Sequence, residues 1–538
     1  MVYITYILGG MDMKQEELIA PLDYNLTDEF ERFAQEPEKL ALKWENDEGL
    51  TKSITYKELI EKANKIGNVF AEAGLHKGDK ILVIVPRIIE AYAIYIAALK
   101  SGIILIPCSE MLRAKDLAYR IEHAEARAVV SYHLFTGEID AVNDSETLIK
   151  FSVGGTRNLW ISLDEQIKTA SPQFKGADTT RDDIALLSYT SGTTGNPKAV
   201  VHTHAWGYAH LKTAAKSWMS IKEGDLVWAT AAPGWQKWVW SPFLSVLGTG
   251  ATGFVYNGKF NPDTFLAMLD KYQINVFCCT PTEYRLIVKS DQLKKYQLPH
   301  LHSAISAGEA LNTEVIKAFY DQFNVMIRNG YGQTESTLLI GQLKDIPHKP
   351  GSMGKATPGN IVEIVDDYGE LCKPGEVGHI AVHLSTPALF KEYYKDPERT
   401  IAQRKGDYFL TGDRAKKDED GYFWFEGRND DIIISSGYTI GPYEVEDALI
   451  KHPAVKECAV VASPDPIRGN IVKAFIVLTD SYKNHPENEL IQELQQFAKT
   501  LTAPYKYPRR IEFKDRLPKT TSGKIRHVYL RDLEQRKA

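Results

Sequence analysis

The sequence predicts an α/β protein with a large N-terminal domain of helix-covered sheets plus a β-rich subdomain, and a small mobile α+β C-terminal domain. One observation is length, because 538 residues exceed a single module of roughly 150 residues. A second is the alternation of short apolar strands with amphipathic helices through the first half of the chain. A third is the change to turn-rich strand pairs after about residue 350.

The alternation begins with an amphipathic helix at residues 56–75, in which apolar residues recur three and four positions apart. A strand at 80–85, a helix at 89–99 and a strand at 103–106 follow. Further short apolar strands, each ending in a polar or glycine-containing turn, are predicted at 185–189, 276–279, 303–306 and 325–328. Strand, loop and helix in series indicate parallel sheets covered by helices.

The second half of the chain has a different pattern. Strands at 361–365 and 378–383, joined by turn residues, predict the β-rich subdomain. The charged segment 427–431 is a candidate linker. After it, strands around 459–461 and 472–478 flank a helix at 487–501, so the last hundred or so residues form a small α+β domain. One face of that helix is expected to carry Leu490, Leu494, Phe497 and Leu501.

Composition excludes several classes of protein. The net charge of −6 argues against a nucleic-acid-binding protein, which needs basic residues to neutralise phosphates. Five scattered cysteines without a C-x-x-C pair argue against zinc clusters and disulfide frameworks, and fit a reducing cytoplasm. The uncharged stretch 239–256 contains proline, serine and glycine, so it is expected to be core and not a membrane helix. We therefore expect no membrane association.

The most informative segment is the loop YTSGTTGNPK at 189–198, which directly follows a predicted strand. Its glycines permit close approach of the backbone to an anion, its hydroxyl groups can donate hydrogen bonds, and Lys198 adds positive charge. These are the properties of a phosphate-binding loop. Lys198 does not stand in a G-x-x-x-x-G-K-[ST] arrangement, so this is no Walker A loop. The alternative without function is a polar strand-to-helix connection.

Six blocks in order make the chain similar to the adenylate-forming superfamily, which comprises acyl-CoA synthetases, luciferases and the adenylation domains of peptide synthetases. The blocks are YTSGTTGNPK (189–198), SAGEA (306–310), NGYGQTE (329–335), YFLTGDR (408–414), GYFWFEGRNDD (421–431) and PKTTSGK (518–524). The resemblance covers about residues 50–530. Segments 435–446 and 463–469 most resemble those of acetyl- and medium-chain acyl-CoA synthetases.

The resemblance implies an AMP-forming carboxylic acid–CoA ligase. A carboxylate attacks the α-phosphate of ATP to give acyl-adenylate and pyrophosphate, and the thiol of CoA then attacks the acyl carbon and releases AMP. ATP, coenzyme A and a small carboxylic acid are the implied substrates, with Mg²⁺ as metal cofactor. The first step brings an anion to a polyanion, and only fixed positive charge and a metal ion offset that repulsion.

The resemblance also assigns the nucleotide site. Asp413 would accept both ribose hydroxyls, Tyr331 would lie against the adenine, and Arg428 would contact ribose or phosphate. The whole ATP- and AMP-binding set is Thr190, Ser191, Gly192, Thr193, Thr194, Gly195, Lys198, Gly308, Glu309, Ala310, Asn329, Gly330, Tyr331, Gly332, Gln333, Thr334, Asp413, Arg428 and Lys524. The alternatives without function are a turn aspartate for Asp413, a core aromatic for Tyr331 and a linker salt bridge for Arg428.

Lys524, Thr334 and Glu335 are the implied catalytic residues. Lys524 would bridge the substrate carboxylate and the α-phosphate, and Thr334 could donate to either group. Glu335 would bind Mg²⁺, a hard cation that prefers carboxylate oxygen. The alternatives are a surface lysine in a basic tail for Lys524 and a carboxylate at a helix N-terminus for Glu335.

The resemblance divides the chain into an AMP-binding adenylation domain at 1–429 and a mobile domain at 430–538. Asp430 is the expected hinge, because a few linker residues absorb the rotation between the two half-reactions. The expected CoA-binding residues are Ser436, Gly437, Tyr438 and Arg468. Thr439 stands where similar enzymes commonly carry arginine, which leaves Arg468 as the candidate for the CoA phosphates.

The acyl pocket is expected at Trp235, Lys237 and Gly332. Trp235 matches the gating aromatic of the family, with core packing as its alternative. Gly332 stands where acetate-specific relatives carry tryptophan, which frees space for a longer or branched acid. We therefore expect propionate or a larger acid: branched, medium-chain or aryl.

Two other functions share these motifs: an acid-adenylating enzyme with a non-CoA acceptor, and a non-catalytic protein that binds ATP or acyl-adenylate. Acid-dependent pyrophosphate release, followed by AMP formation with and without CoA, distinguishes them. Lys524 is also a candidate target of a lysine acetyltransferase and deacetylase, because acetylation would remove its charge. The sequence does not indicate an oligomeric state.

Overall fold

The computed structural model describes residues 13–143, 145–190, 197–308, 311, 313–428, 431–435, 438–465, 468–502, 505–520 and 523–537. It has the predicted mixed α/β architecture, with a large N-terminal part and a small C-terminal part. The N-terminal part contains two large sheets and a smaller β-rich one. A short hairpin and a three-stranded sheet follow in the C-terminal part.

Sixteen strands account for most of the two large sheets. Their bounds are β1 (Leu40–Asn46), β2 (Thr51–Thr55), β3 (Lys80–Ile84), β4 (Ile104–Pro107), β5 (Ala128–Tyr132), β6 (Ile149–Val153), β7 (Ile161–Ser162), β8 (Ile184–Thr190), β9 (Lys198–Thr203), β10 (Leu226–Ala229), β11 (Thr252–Asn257), β12 (Val276–Cys278), β13 (Ser303–Ala307), β14 (Ile327–Gly332), β15 (Leu338–Gly341) and β16 (Lys355–Ala356). The predicted strands in this half are all present, within a few residues of their expected ends.

Both sheets have parallel centres, with antiparallel strands at both edges of the larger sheet and at one edge of the smaller. The nine-stranded sheet has the order β16-β15-β14-β13-β12-β10-β11-β1-β2, and its run from β14 to β1 is parallel. The eight-stranded sheet has the order β19-β9-β8-β4-β3-β5-β6-β7, where β17 (Val362–Val365) and β18 (Val377–His383) precede β19 (Glu392–Tyr393) in the chain. The pairing of β9 with β8 and with β19 is antiparallel, an exception to the predicted parallel pattern.

Helices cover the sheets and complete the C-terminal part. They are α1 (Asp28–Glu31), α2 (Tyr56–Glu72), α3 (Ile89–Lys100), α4 (Ala114–Ala124), α5 (Thr136–Asp140), α6 (Leu163–Gln166), α7 (His204–His210), α8 (Gln236–Trp238), α9 (Pro262–Lys271), α10 (Pro281–Val288), α11 (Thr313–Phe323), α12 (Pro397–Ala402), α13 (Pro442–Ile450), α14 (Glu487–Leu501) and α15 (His527–Lys537). The predicted start of α2 has a clear local cause, because Thr55 and Glu58 form a reciprocal capping box.

The uncharged stretch 239–256 is core, as predicted. It consists of a π-helical segment, Val239–Ser245, that continues α8, and of the buried strand β11. Just before it, Trp238 stacks on Phe243 with ring centroids 5.4 Å apart and meets the edge of Tyr95 at 4.7 Å. Within the described residues, no helix is long and apolar enough to cross a membrane.

The β-rich subdomain is an antiparallel sheet of β17, β18, β20 (Arg404–Lys405), β21 (Tyr408–Lys417) and β22 (Phe423–Arg428). Gly427 and Arg428, which were predicted to be part of the linker, therefore belong to a strand. Because β21 and β22 are paired in register, Asp413 lies directly opposite Arg428.

The C-terminal part contains the hairpin β23 (Ile433–Ser435) and β24 (Tyr438–Ile440), then β25 (Val455–Asp465), β26 (Gly469–Leu478) and β27 (Arg510–Phe513). Helix α14 has the predicted bounds and buries Leu490, Leu494 and Ala498 against this sheet. Leu501 was expected on the same face. It is exposed, because it is the last residue of the helix.

Candidate active site

The predicted phosphate loop connects the antiparallel strands β8 and β9, so the strand-to-helix alternative is wrong. Thr190 at the end of β8 pairs with Lys198 at the start of β9, and these two residues form the base of the loop. The hydroxyl of Thr190 is buried and has no hydrogen-bond partner in the described part of the chain. The expected loop residues Ser191, Gly192, Thr193, Thr194 and Gly195 lie outside the described residues.

Lys198 is held in a buried cluster with Glu335 and Tyr393. Its Nζ lies 2.7 Å from Oε1 of Glu335 and donates to the hydroxyl of Tyr393 at 2.9 Å. That hydroxyl donates in turn to Oε1 of Glu335 at 2.8 Å. Burial by itself raises the pKa of the Glu335 carboxyl, but Lys198 and Tyr393 outweigh burial, so the pKa is lowered. Glu335 is therefore a fixed anion at neutral pH.

Thr334 and Glu335 lie in a turn before β15, so the helix-terminus alternative for Glu335 is wrong. The turn is held from β9 and α7. His202 donates from Nε2 to the carbonyl of Thr334 at 2.7 Å, and Trp206 donates from Nε1 to the carbonyl of Ser336 at 3.1 Å. Burial lowers the pKa of His202 to about 4, so its ring is neutral at pH 7.

Asp413 lies within β21, so it is not a turn aspartate. The hydroxyl of Tyr331 and Nε2 of Gln333 both donate to its Oδ2 at 2.6 Å. Nε of Arg428 lies 3.7 Å from Oδ1. Burial is the largest influence on this carboxyl and raises its pKa, although Arg428 and the two hydrogen bonds act in the opposite direction. The structure thus brings together four predicted nucleotide-site residues that are up to 97 positions apart (428 − 331).

Lys524, in the C-terminal part, lies near Gly308. A Cβ atom placed on Gly308 would lie 3.7 Å from Nζ of Lys524. Gly308 follows β13 and has φ of +105°, a backbone conformation that favours glycine. Lys524 is therefore close to the loop at 306–310, which belongs to the predicted ATP- and AMP-binding set. Glu309 and Ala310 of that loop lie outside the described residues.

The three expected acyl-pocket residues lie around α8 and β14. Trp235 immediately precedes α8, and Nζ of Lys237 lies 5.1 Å from the centre of the Trp218 ring and 5.9 Å from that of Trp240. This Nζ atom is buried and has no hydrogen-bond partner within the described part of the chain. Trp240 also touches β14, since a Cβ on Gly332 would lie 2.9 Å from its ring.

Strand β14 passes close to the other indole as well. Nε1 of Trp218 donates to the carbonyl of Asn329 at 3.1 Å, and a Cβ on Gly330 would lie 2.6 Å from the Trp218 ring. Two indoles and one ammonium group therefore lie beside the strand that leads to Tyr331.

The residues expected at the hinge and the CoA site are described in part. Asp430, Ser436 and Gly437 lie outside the described residues, and Tyr438 begins β24. Arg468 is exposed in the connection between β25 and β26, where its backbone N–H donates to Asp465 at 3.0 Å. Next to the expected hinge, Asp431 forms an ion pair with Arg531 of α15 at 2.7 Å.

Sequence reasoning missed Tyr393, His202, Trp218 and Trp240. Tyr393 is 195 positions from Lys198, so no local spacing could have revealed their contact. The two tryptophans could have been suspected from the sequence, because six of the nine tryptophans lie between residues 206 and 240.

Comparison with known families gives two matches along the chain. Residues 30–394 match the model described as AMP-binding enzyme, and residues 444–524 match the model described as AMP-binding enzyme C-terminal domain.

Several characterised and uncharacterised proteins are similar over nearly the whole length. An uncharacterized acyl-CoA ligase of Bacillus subtilis, YtcI, is 63% identical over 523 residues, which cover 97% of this chain and 98% of YtcI. The mouse mitochondrial acyl-coenzyme A synthetase ACSM5 is 41% identical over 514 residues, covering 94% of this chain and 89% of the relative. The crystal structure of the anthranilate CoA ligase AuaEII in complex with anthranoyl-AMP aligns with a TM-score of 0.88 at 27% identity, covering 98% and 99% of the two chains.

Proposed function

Since the chain belongs to the AMP-binding enzyme family and is an AMP-forming acyl-CoA synthetase, we propose that Lys524, Thr334 and Glu335 carry its adenylation half-reaction. ATP, coenzyme A and a carboxylic acid are its substrates. The observation that carries the proposal is the position of Lys524, whose Nζ lies beside Gly308 of the N-terminal part although the two residues are 216 positions apart (524 − 308).

In the first half-reaction, a carboxylate oxygen forms a bond to the α-phosphorus of ATP as the bond to the pyrophosphate oxygen breaks. Both reactants are anions, so the barrier includes their repulsion. An ammonium group that bridges them offsets this repulsion most where water is excluded. Lys524 supplies that charge, and the hydroxyl of Thr334 donates to the same group of oxygens.

Glu335 is the residue that would hold Mg²⁺, which neutralises phosphate charge when it is bound. The donor fits, because Mg²⁺ prefers carboxylate oxygen and usually takes only one or two protein carboxylates beside phosphates and water. Lys198 and Tyr393 already fix this carboxylate next to the base of the phosphate loop.

Asp413 would bind the ribose. Its carboxylate has two oxygens and can accept from both ribose hydroxyls. Tyr331 and Gln333 hold Oδ2 at 2.6 Å, and the opposing Arg428, whose Nε lies 3.7 Å from Oδ1, would contact the ribose or a phosphate. The remaining nucleotide-binding residues keep the roles that the family motifs imply for them.

In the second half-reaction, the CoA sulfur forms a bond to the acyl carbon and AMP leaves with the electron pair of the broken bond. We propose that the domain at 430–538 rotates about Asp430 relative to the domain at 1–429, which withdraws Lys524 and opens a path for the thiol. Ser436, Gly437 and Tyr438 would line that path, and Arg468 would contact the CoA phosphates.

For the acid, we propose propionate or a larger branched, medium-chain or aryl acid. Gly332 is closely packed against the Thr337 carbonyl and the Trp240 ring, so it leaves no room for a larger side chain at this position. The indoles of Trp218 and Trp240 and the ammonium group of Lys237 lie beside β14 and would form the wall that contacts such an acid. The similarity to a ligase that binds anthranoyl-AMP adds support for aryl acids. A panel of carboxylic acids in a pyrophosphate-release assay, with AMP formation followed with and without CoA, identifies the substrate.

The roles are tested by Lys524→Ala. We expect acid-dependent ATP–pyrophosphate exchange to be abolished, while thioester formation from supplied acyl-adenylate and CoA continues. Lys519→Ala is the matched control, because Lys519 lies in the same segment but pairs with Glu457 at 2.8 Å. Equal loss of both half-reactions would refute the role of Lys524. Acetylation of Lys524 by an acetyltransferase would remove the same charge and should reproduce the loss of exchange.

A further inference from the structure

Strand β9 contacts the turn at Thr334 and Glu335 through two of its side chains. Lys198 and His202 are four positions apart, so both point to the same face of the strand. Lys198 Nζ lies 2.7 Å from the Glu335 carboxylate, and His202 Nε2 lies 2.7 Å from the carbonyl oxygen of Thr334. One strand therefore connects the base of the phosphate loop to both proposed catalytic residues of the turn.

The hydrogen bond from His202 fixes one peptide plane. Its acceptor is the carbonyl of the peptide that joins Thr334 to Glu335, so Nε2 must carry the hydrogen. The two side chains on either side of that peptide are the proposed donor to the α-phosphate and the proposed Mg²⁺ ligand. Rotation of this peptide would change the direction of both side chains and would disturb the contact of Glu335 with Lys198.

Packing alone does not account for a histidine at this position. The ring is completely buried, and its Nδ1 has no hydrogen-bond partner in the described part of the chain. A buried polar atom without a partner is unfavourable, and an apolar ring of the same shape would avoid that cost. The Nε2 hydrogen bond is thus the feature that distinguishes histidine from phenylalanine here.

The ring itself is held rigidly. It lies against Trp206 with centroids 4.3 Å apart, and Trp206 donates to the Ser336 carbonyl at 3.1 Å. Trp206 stacks on His210, which hydrogen-bonds to Thr337 and to the carbonyl of Trp240. A continuous column from β9 through α7 therefore supports the whole turn, and a rigid support of this kind is what a precisely positioned site requires.

We propose that His202 is a positioning residue for adenylation, which holds the Thr334–Glu335 peptide in register with Lys198 and the phosphate loop; this rests on the roles proposed above for Thr334 and Glu335. His202 touches no reacting atom. Its effect is confined to the half-reaction that uses the phosphates and the metal, and the attack of CoA on the finished adenylate does not depend on it.

The test compares His202→Phe, which keeps the ring and removes the donor, with His202→Gln, whose Nε2 can donate from a similar position. In each preparation we measure ATP–pyrophosphate exchange and thioester formation from supplied acyl-adenylate, and take their ratio, so that loss of folded protein cancels. Binding of MgATP is measured separately by calorimetry. His204→Phe is the matched control, because His204 is equally buried but bonds to the backbone of Leu26.

We expect the ratio to fall about 10- to 100-fold in H202F, as is usual when a group that orients a ligand is lost. MgATP binding should weaken in the same variant, H202Q should recover most of both losses, and H204F should keep the wild-type ratio. The role of His202 is overturned if the two half-reactions fall together in H202F, or if H202Q is as impaired as H202F. Glu335→Gln run in parallel separates the two proposals. If E335Q keeps normal ATP–pyrophosphate exchange, the proposed roles of Glu335 and His202 are both refuted. If E335Q is impaired while H202F is normal, only the role of His202 is refuted.

Discussion

Replacing Lys198 with methionine removes the positive partner of a buried carboxylate and keeps the length of the side chain. The side chain of Glu335 is 9% exposed, so its charge cannot be solvated by water instead. Breaking a buried ion pair by removing one partner typically costs about 3–5 kcal/mol. The hydrogen bond from Tyr393 to Glu335 remains, and a bond to a charged group is worth about 1.5–3 kcal/mol. We therefore expect a loss near the lower limit, about 3 kcal/mol at pH 7.

The pH dependence of this loss has a definite sign. In the wild type the pKa of Glu335 is lowered, so its contribution to stability is present above its unfolded pKa and is lost as the pH falls through the folded value. In K198M burial is opposed only by the remaining hydrogen bonds, chiefly that from Tyr393, so we expect the pKa of Glu335 to rise and stability to be lost as the pH rises above the unfolded value. The difference between the two proteins should therefore be larger at pH 7 than at pH 5, and it should continue to shrink as the pH falls below the unfolded value of about 4.3.

The free energy of unfolding is measured by urea titration at pH 5 and at pH 7. Tryptophan fluorescence follows the unfolding, and the first transition is analysed. K198M is compared with E335Q and with the double variant, in which no carboxylate remains to be left unpaired. Lys317→Met is the control, because its pair with Asp321 is largely exposed and should contribute only about 0.3–0.5 kcal/mol. If the double variant is as unstable as K198M, or if the loss does not change with pH, the unpaired carboxylate is not its cause.

Two further predictions concern the nucleotide and acyl sites. Asp413→Asn replaces a charged acceptor by an amide. It should raise the KM for ATP by about tenfold, because one hydrogen bond to a charged group is worth at least about 1.4 kcal/mol. The preference for ATP over 2′-deoxy-ATP should shrink, and an unchanged preference would mean that Asp413 does not bind the ribose. Gly332→Ala should cost about 1–3 kcal/mol, because the new Cβ would lie 2.4 Å from the backbone carbonyl of Thr337 and cannot be relieved by a side-chain rotation. Urea unfolding measures this loss, and a panel of carboxylic acids shows whether the substrate preference changes with it. If the variant is as stable as the wild type, position 332 is not closely packed.

The agreement between predicted and observed elements is greatest where the apolar pattern is long. The helix α14 has the expected ends, and the strands in the first half of the chain appear close to their expected positions. The prediction failed where pairing depends on partners far away in the chain. Strand β9 was not foreseen, because its apolar residues after a glycine-rich loop are equally compatible with the start of a helix.

The sequence by itself determined the fold class, the order of the functional blocks and the reaction, because each depends on short local patterns such as the loop at 189–198 and the block around Lys524. Only the tertiary structure decided which side chains support these blocks. Tyr393 hydrogen-bonds to both Lys198 and Glu335, and His202 donates to the carbonyl of Thr334. The antiparallel pairing of β8, β9 and β19 brings these distant segments together. The environments of Glu335 and Asp413 were likewise invisible in the sequence, because a carboxyl's pKa depends on burial and on neighbours that only the folded chain supplies.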